Sequence, residues 1–363
     1  MFGCLRSRAL ILGALLLVAG PARSDFFDQP FALRLFFAVD RQSNYASTLA
    51  RQASIAALEG GSANPGAAAW RQPPTSTTTA TTSFVYAPSS GGRDVYAAPI
   101  SLRWNGPDRG TLLFAYAYTD TGNAQGDNGL TQSLRSDEWF GGYGRRIDEH
   151  SAAGITVRLT NGRILSDSIS ESLGGAPARS TTRFVTPDIN VGYAAELTPT
   201  ITMGLVAGYG RATADTTVTN LAPLVVPLPG IGTPILLPPG TVLAQPDDIV
   251  STYSLRGGLG FRVTDRTNIY VDAIGLRMST RNSGAQDLGR FLLGAQHLVA
   301  NGWVLNGGVG VDTLGKVNFS GGLAYRPTLL FEAQIALQSN AAPEIKPEIG
   351  TTPLVAGSLA WVF

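Results

Sequence analysis

From Ser83 to Phe363 the apolar residues return at every second position. Ile189, Val191, Tyr193, Ala195 and Leu197 alternate with Asp188, Asn190, Gly192, Ala194 and Glu196. Tyr253, Leu255, Leu259 and Phe261 alternate with Ser254, Arg256, Gly258, Gly260 and Arg262, and Phe331, Ala333, Ile335 and Leu337 with Glu332, Gln334, Ala336 and Gln338. A period of two predicts strands, because successive side chains of a strand point to opposite faces. The final stretch, Pro353 to Phe363, follows the same rule, with Phe363, Trp361, Leu359, Gly357 and Val355 on one face.

The connections alternate short with long. Residues 105–110, 147–151, 198–200, 264–267, 300–302 and 326–328 read as tight turns, while the two longest connections are expected near Asn161 to Arg179 and Ala212 to Asp248. Strands are predicted to begin near residues 80, 94, 110, 132, 151, 181, 200, 249, 267, 287, 302, 316, 328 and 352. A soluble sandwich would show the same alternation. Two features favour a membrane barrel. Trp104, Trp139, Tyr209, Trp303, Tyr325 and Trp361 fall near strand ends, as interfacial girdles would, and the tight turns all fall on one side, as periplasmic turns do. The expected fold is therefore all-β, a transmembrane antiparallel barrel of about fourteen strands, with twelve to sixteen allowed by the count. An aromatic final residue on such a strand suits recognition of Phe363 by the barrel-assembly machinery, with outer-membrane lipid around the wall.

The start of the chain gives the destination. Arg6 and Arg8 precede an apolar run from Ala9 to Ala19, followed by Pro21, Ala22, Arg23 and Ser24, the pattern of a cleavable signal peptide over residues 1–24. The run is shorter than the roughly 20 residues that a helical span needs. The single cysteine, Cys4, lies ahead of this run and inside the expected signal peptide, so the mature chain would carry no thiol. Charged residues are only 15% of the chain, and loss of three arginines would take the net charge from +1 to −2, with no basic patch for nucleic acid. The expected location is a Gram-negative outer membrane.

Residues 25–79 differ from the rest. Tyr45 to Leu58 has helical composition with small residues on most faces, then Gly60, Gly61, Asn64 and Pro65 break it. So little apolar surface needs a surrounding wall. A hatch inside the barrel is expected, carried by Tyr45, Leu49, Ile55, Asn64 and Pro65, the alternative being a periplasmic tail or cap. Residues 80–363 then form the barrel.

Candidate chemistry is sparse. Asn220 to Gln245 is apolar, proline-rich and nearly uncharged, yet topology places it outside. Leu224, Val225, Val226, Leu228, Ile231, Ile235, Leu236 and Leu237 would offer a landing surface for a hydrophobic solute, or fold inward, or meet another subunit. Arg103, Arg158, Arg256 and Arg262, with Glu196, Asp272, Asp312 and Glu332, are expected to face the lumen, which keeps a porin for polar solutes as the alternative. Catalysis has little to work with. His150 falls in a turn and His297 on the outer face, and no cofactor or metal is expected, although Asp120, Asp127 and Asn128 could meet at a calcium ion.

The small-residue helix, its glycine-rich break, Asn64-Pro65-Gly66 and the connector into the first strand together resemble the hatch of the outer-membrane long-chain fatty acid and aromatic hydrocarbon transporters, the FadL/TodX-like barrels. That family carries an Asn-Pro-Ala signature, so Gly66 departs from it. The resemblance implies a fourteen-stranded barrel, an external apolar groove built by long third and fourth loops, and passive uptake of fatty acids or hydrocarbons past the hatch or sideways through the wall.

Overall fold

The computed structural model describes residues 50–53, 55–56, 64–70, 76–88, 94–106, 110–125, 131–170, 176–226, 235–244, 248–281, 284–300, 302–339 and 353–363. The expected signal peptide, Tyr45, Leu49, Asp127, Asn128, Leu228 and Ile231 lie outside them.

Fourteen strands form the wall: β1 (Thr77–Pro88), β2 (Ile100–Gly106), β3 (Gly110–Asp120), β4 (Thr131–Asp148), β5 (Ser151–Ser170), β6 (Ala176–Thr198), β7 (Ile201–Asn220), β8 (Asp248–Thr264), β9 (Thr267–Thr280), β10 (Gly284–Ala300), β11 (Trp303–Asp312), β12 (Val317–Thr328), β13 (Phe331–Gln338) and β14 (Leu354–Val362). Each pairs antiparallel with the next. The circle closes between β14 and β1, from Thr79 opposite Val362 to Tyr86 opposite Val355. Closure leaves no edge with unsatisfied backbone groups, the condition for a sheet to sit in lipid. A short piece, Asp94–Ala97, pairs with β1 and β3 ahead of the break at Ala98 and Pro99.

Ladder register sorts the side chains. Ile100, Leu102, Phe114, Trp139, Val157, Leu159, Val191, Leu255, Val271, Leu293, Leu305, Phe319 and Ile335 are exposed on the outside. Aromatic pairs cluster at two levels. Trp303 and Tyr325 (4.4 Å) and Phe331 and Trp361 (5.9 Å) lie near the tight turns, while Tyr116 and Trp139 (4.6 Å) and Tyr209 and Tyr253 (5.2 Å) lie further along. Such pairs are what interfacial girdles look like in cross-section. At the tight-turn end the His150 backbone N–H donates to Asp148 Oδ1 (2.8 Å), and this bond, with the Ser151 hydroxyl, holds the Asp148 carboxyl below its ordinary range.

Two expectations change. The long connections read at Asn161–Arg179 and Ala212–Asp248 are largely strand, since β5 runs to Ser170, β6 begins at Ala176 and β7 continues to Asn220. Their outward positions turn polar because the outer face has left lipid, and in the second segment the apolar set moves to the lumen side. Thr213, Asp215 and Thr217 point outward, while Ala212, Ala214 and Val218 are buried inside. The wall is consequently uneven: β6 has 23 residues, whereas β13 and β14 have 8 and 9.

Candidate functional site

The lumen is the site, and its lower part is filled. Helix α1 (Pro65–Ala68) begins at Asn64, whose Oδ1 accepts from the Gly66 N–H at 2.9 Å, and Pro65 takes the first helical position, where its missing N–H costs nothing. The Asn64 amide also donates to the carbonyls of Ile55 (3.0 Å) and Tyr193 (2.9 Å), so one side chain ties α1, the preceding segment and the wall together. Asn64 and all four residues of α1 are buried.

The wall accepts this segment because it presents glycines there. A methyl group on Gly154 would stand 2.3 Å from the Pro65 carbonyl, one on Gly192 2.3 Å from Asn64 Oδ1, and one on Gly204 2.0 Å from the Ile55 carbonyl. Across the barrel, Gly294 and Gly308 back onto the Arg51 carbonyl in the same way, at 2.3 and 2.4 Å. Polar pins complete the docking. Asp272 Oδ2 accepts from the Ile55 N–H (2.9 Å), Thr202 Oγ1 donates to the Ala56 carbonyl (3.0 Å), and Ser320 Oγ donates to the Ala50 carbonyl (2.9 Å). Arg51 is buried with its guanidinium 5.5 Å from the Tyr270 ring. The wall residues in all these contacts lie near the tight turns, so the filled zone lies at that end.

Above it comes a charged layer and then an apolar one. Arg158 bonds Asp188 through Nε and reaches Glu138 at 3.5 Å, an ion pair with both acids half-buried or better. Arg158, Asp188, Asn190, Ser254 and Arg256 line a pocket with Phe184, Leu276 and Met278, leaving about 660 Å³ of unfilled space, mouth included. Gly208 and Gly210 form part of its floor. Next to it Ala212, Val250, Leu276, Met278 and Leu288 pack as a buried apolar cluster, with Ile274 and Leu314 against it.

Of the residues expected in the lumen, Arg103, Arg158, Arg256 and Asp272 lie on the inner face by register. Asp312 is also inward but caps the turn at the far end, accepting from the Leu314 (3.0 Å) and Lys316 (2.8 Å) N–H groups. Glu196, Arg262 and Glu332 stand at the tight-turn rim, where Glu332 pairs with Arg326 at 2.6 Å. In the external connection, Leu224–Val226 pairs with Ile235–Leu237 as a hairpin. Leu224 is buried, Val225, Leu236 and Val242 are exposed, and the buried Asn220 amide fastens the base by donating to the Ala222 (3.0 Å) and Pro238 (2.9 Å) carbonyls. Asp120 is engaged by Arg135 at 2.9 Å. His297 is on the outer face, sharing a hydrogen bond with the Thr267 hydroxyl at 2.9 Å.

The apolar cluster was not foreseen, although the sequence carries its signal. Along β9 the apolar residues change parity, from Ile269 and Val271 to Ile274, Leu276 and Met278, while the ladder to β10 runs on without a bulge. The first set faces lipid and the second faces the lumen.

A filled lower lumen, an apolar wall above it and fourteen strands describe the FadL/TodX-like transporter fold. No family model matches the chain, and no curated protein matches it in sequence. Solved structures do match in fold. The toluene transporter TbuX of Ralstonia pickettii aligns at 13% identity and a TM-score of 0.59, over 89% of this chain and 99% of that one. A Pseudomonas aeruginosa FadL homologue gives 11%, 0.57, 88% and 98%, and the monoaromatic hydrocarbon channel CymD gives 13%, 0.55, 88% and 96%. At these identities the likeness is one of fold.

Proposed function

We propose that the chain is an outer-membrane channel through which hydrophobic small molecules, fatty acids or hydrocarbons, pass inward by passive diffusion. The observation that carries this reading is the apolar cluster of Leu276, Met278 and Leu288, which faces the lumen rather than lipid. A water-filled pore for polar solutes gains nothing from an apolar wall, whereas a greasy solute leaving water gains about 25 cal/mol for each Å² it buries. The toluene and monoaromatic hydrocarbon transporters that share the fold support the same solute class. In this reading residues 25–79 act as a hatch, and the exposed Val225 and Leu236 of the external hairpin are where a solute first settles. The lumen arginines and acids serve as structural pairs rather than ion selectors.

The test compares uptake of a fluorescent fatty acid and of toluene by cells carrying the intact chain or one lacking Leu224 to Leu243. A fall in uptake of both supports the reading, and equal uptake removes the hairpin from it. Liposome swelling in small sugars tests the porin alternative: rapid swelling would replace the hydrophobic channel with an open pore.

A further inference from the structure

Above the lipid-facing band, on its outer surface, the wall carries a row of arginines. Arg135 of β4, Arg163 of β5 and Arg183 of β6 are direct ladder partners, Arg135 opposite Arg163 and Arg163 opposite Arg183. Their inward neighbours fix the direction they point: Leu134, Ile164 and Phe184 are all buried in the lumen. All three arginines are exposed. Like charges set directly opposite on adjacent strands destabilise a sheet.

The acids nearby only partly offset this. Asp120 pairs with Arg135 at 2.9 Å, Asp137 accepts from the Tyr116 hydroxyl, and Asp167 is taken by Arg179 at 2.7 Å. Asp215 stands opposite Arg183 in the ladder, and among the described residues no ion pair joins them. Among the described residues no ion pair holds Arg163 or Arg183, and both are exposed, with Arg211 of β7 exposed lower down the same flank.

The height of the row points to its partner. Arg183 is fourteen residues from Leu197 at the tight-turn rim. At roughly 3.3 Å per residue and a tilt of about 40°, that is about 35 Å above the rim, about 10 Å beyond an apolar band about 25 Å tall. The next outward residue below it is Val185, and Leu159 and Trp139 lie below Arg163 and Arg135, all exposed as lipid-facing residues are. Guanidinium groups at that level meet the headgroups of the outer leaflet, and planar forks suit phosphate oxygens bidentately.

We infer that Arg135, Arg163 and Arg183 form a docking site for the phosphate groups of a phosphorylated glycolipid in the outer leaflet, with the acyl chains lying along Trp139, Leu159 and Val185. The inference rests on the outer-membrane placement and is independent of which solute crosses the lumen.

The test titrates the purified full barrel in mixed micelles with bisphosphorylated lipid A, with the same lipid stripped of phosphate, and with inorganic phosphate, read by native mass spectrometry. The expected result is that Arg163→Gln/Arg183→Gln binds bisphosphorylated lipid A at least tenfold more weakly, and that the intact chain binds the stripped lipid as weakly. Millimolar inorganic phosphate should not displace the lipid, because chains and headgroup are held together. Arg163→Lys should keep part of the affinity. Heat-modifiable gel mobility establishes that the variants are folded. Equal binding by the double variant, or equal binding of the stripped lipid, would overturn the site. Since the readout is lipid bound by a folded barrel, its failure is distinct from a failure of solute uptake.

Discussion

Replacing Asn64 by alanine should release the N-terminal segment from the wall. The side chain makes three bonds, at 2.9, 3.0 and 2.9 Å, in a place with no exposure. Loss of the helix cap costs about 1 kcal/mol. Loss of two buried amide donors costs about 1 kcal/mol each, and more where a carbonyl is left without a partner. A total of about 3 kcal/mol shifts the seated-to-released ratio about 100-fold. The assay exploits the absence of any cysteine beyond Cys4, which falls in the expected signal peptide. Ala67→Cys places one thiol on the buried helix, and its maleimide labelling rate reports release. Adding Asn64→Ala should raise that rate by about two orders of magnitude at the calculated cost. Asn64→Ser, which keeps a capping oxygen for the helix N-terminus and loses the amide donors, should fall between. A labelling rate within twofold of the parent would refute the reasoning, because it would mean that Asn64 does not hold the segment in place.

Further tests address other layers. Met278→Asp puts a charge into the apolar lumen cluster and should cut hydrophobic solute uptake at least fivefold while leaving heat-modifiable mobility unchanged; unaltered uptake would remove the cluster from the path. Gly204→Val brings side-chain atoms against the Ile55 carbonyl and should increase protease cleavage of the N-terminal segment without loss of the barrel, as read by limited trypsin digestion. Trp361→Ala removes a ring pair worth about 1 kcal/mol beyond its buried area and should lower the urea midpoint for unfolding from lipid vesicles. Asp148 is held below the ordinary carboxylate value, so its contribution to the turn is complete above that value and is lost as pH falls through the depressed one. Asp148→Asn should therefore reduce the acid dependence of stability below about pH 4, and an unchanged profile would discount the turn.

Much of the wall could be read from the chain because lipid on one side imposes a strict rule. Where that rule applies, as at Ile189 to Leu197, strand, face and turn followed from residue types alone. Where the outer face leaves lipid, as at Thr213 to Val218, the outward positions turn polar, the rule lapses and strand reads as loop. The parity change on β9 shows a second limit. Alternation says that two faces differ, but not which one faces the lumen, and so it does not single out Leu276 and Met278. The third case is Gly66. The family signature has alanine in that place, and here a Cβ would stand 2.9 Å from the Ala152 carbonyl and 3.0 Å from the Ala194 nitrogen. This helix packs closer to the wall than an alanine would allow, a contact 86 residues apart in the chain that no local pattern could reveal.

The lopsided height of the cylinder sets the geometry of arrival. A bilayer crossing takes about nine to eleven residues, which β13 and β14 barely supply, whereas β7 runs for 20 and carries the apolar hairpin at its summit. The hairpin is thus hoisted some tens of ångströms over the membrane, like a lookout on one bank, while the described strands of the opposite bank stop near the lipid. On the proposed function, a molecule arriving from the medium would meet the tall bank first and descend its inner slope, so that capture and entry would be separated by distance and could be slowed or lost independently.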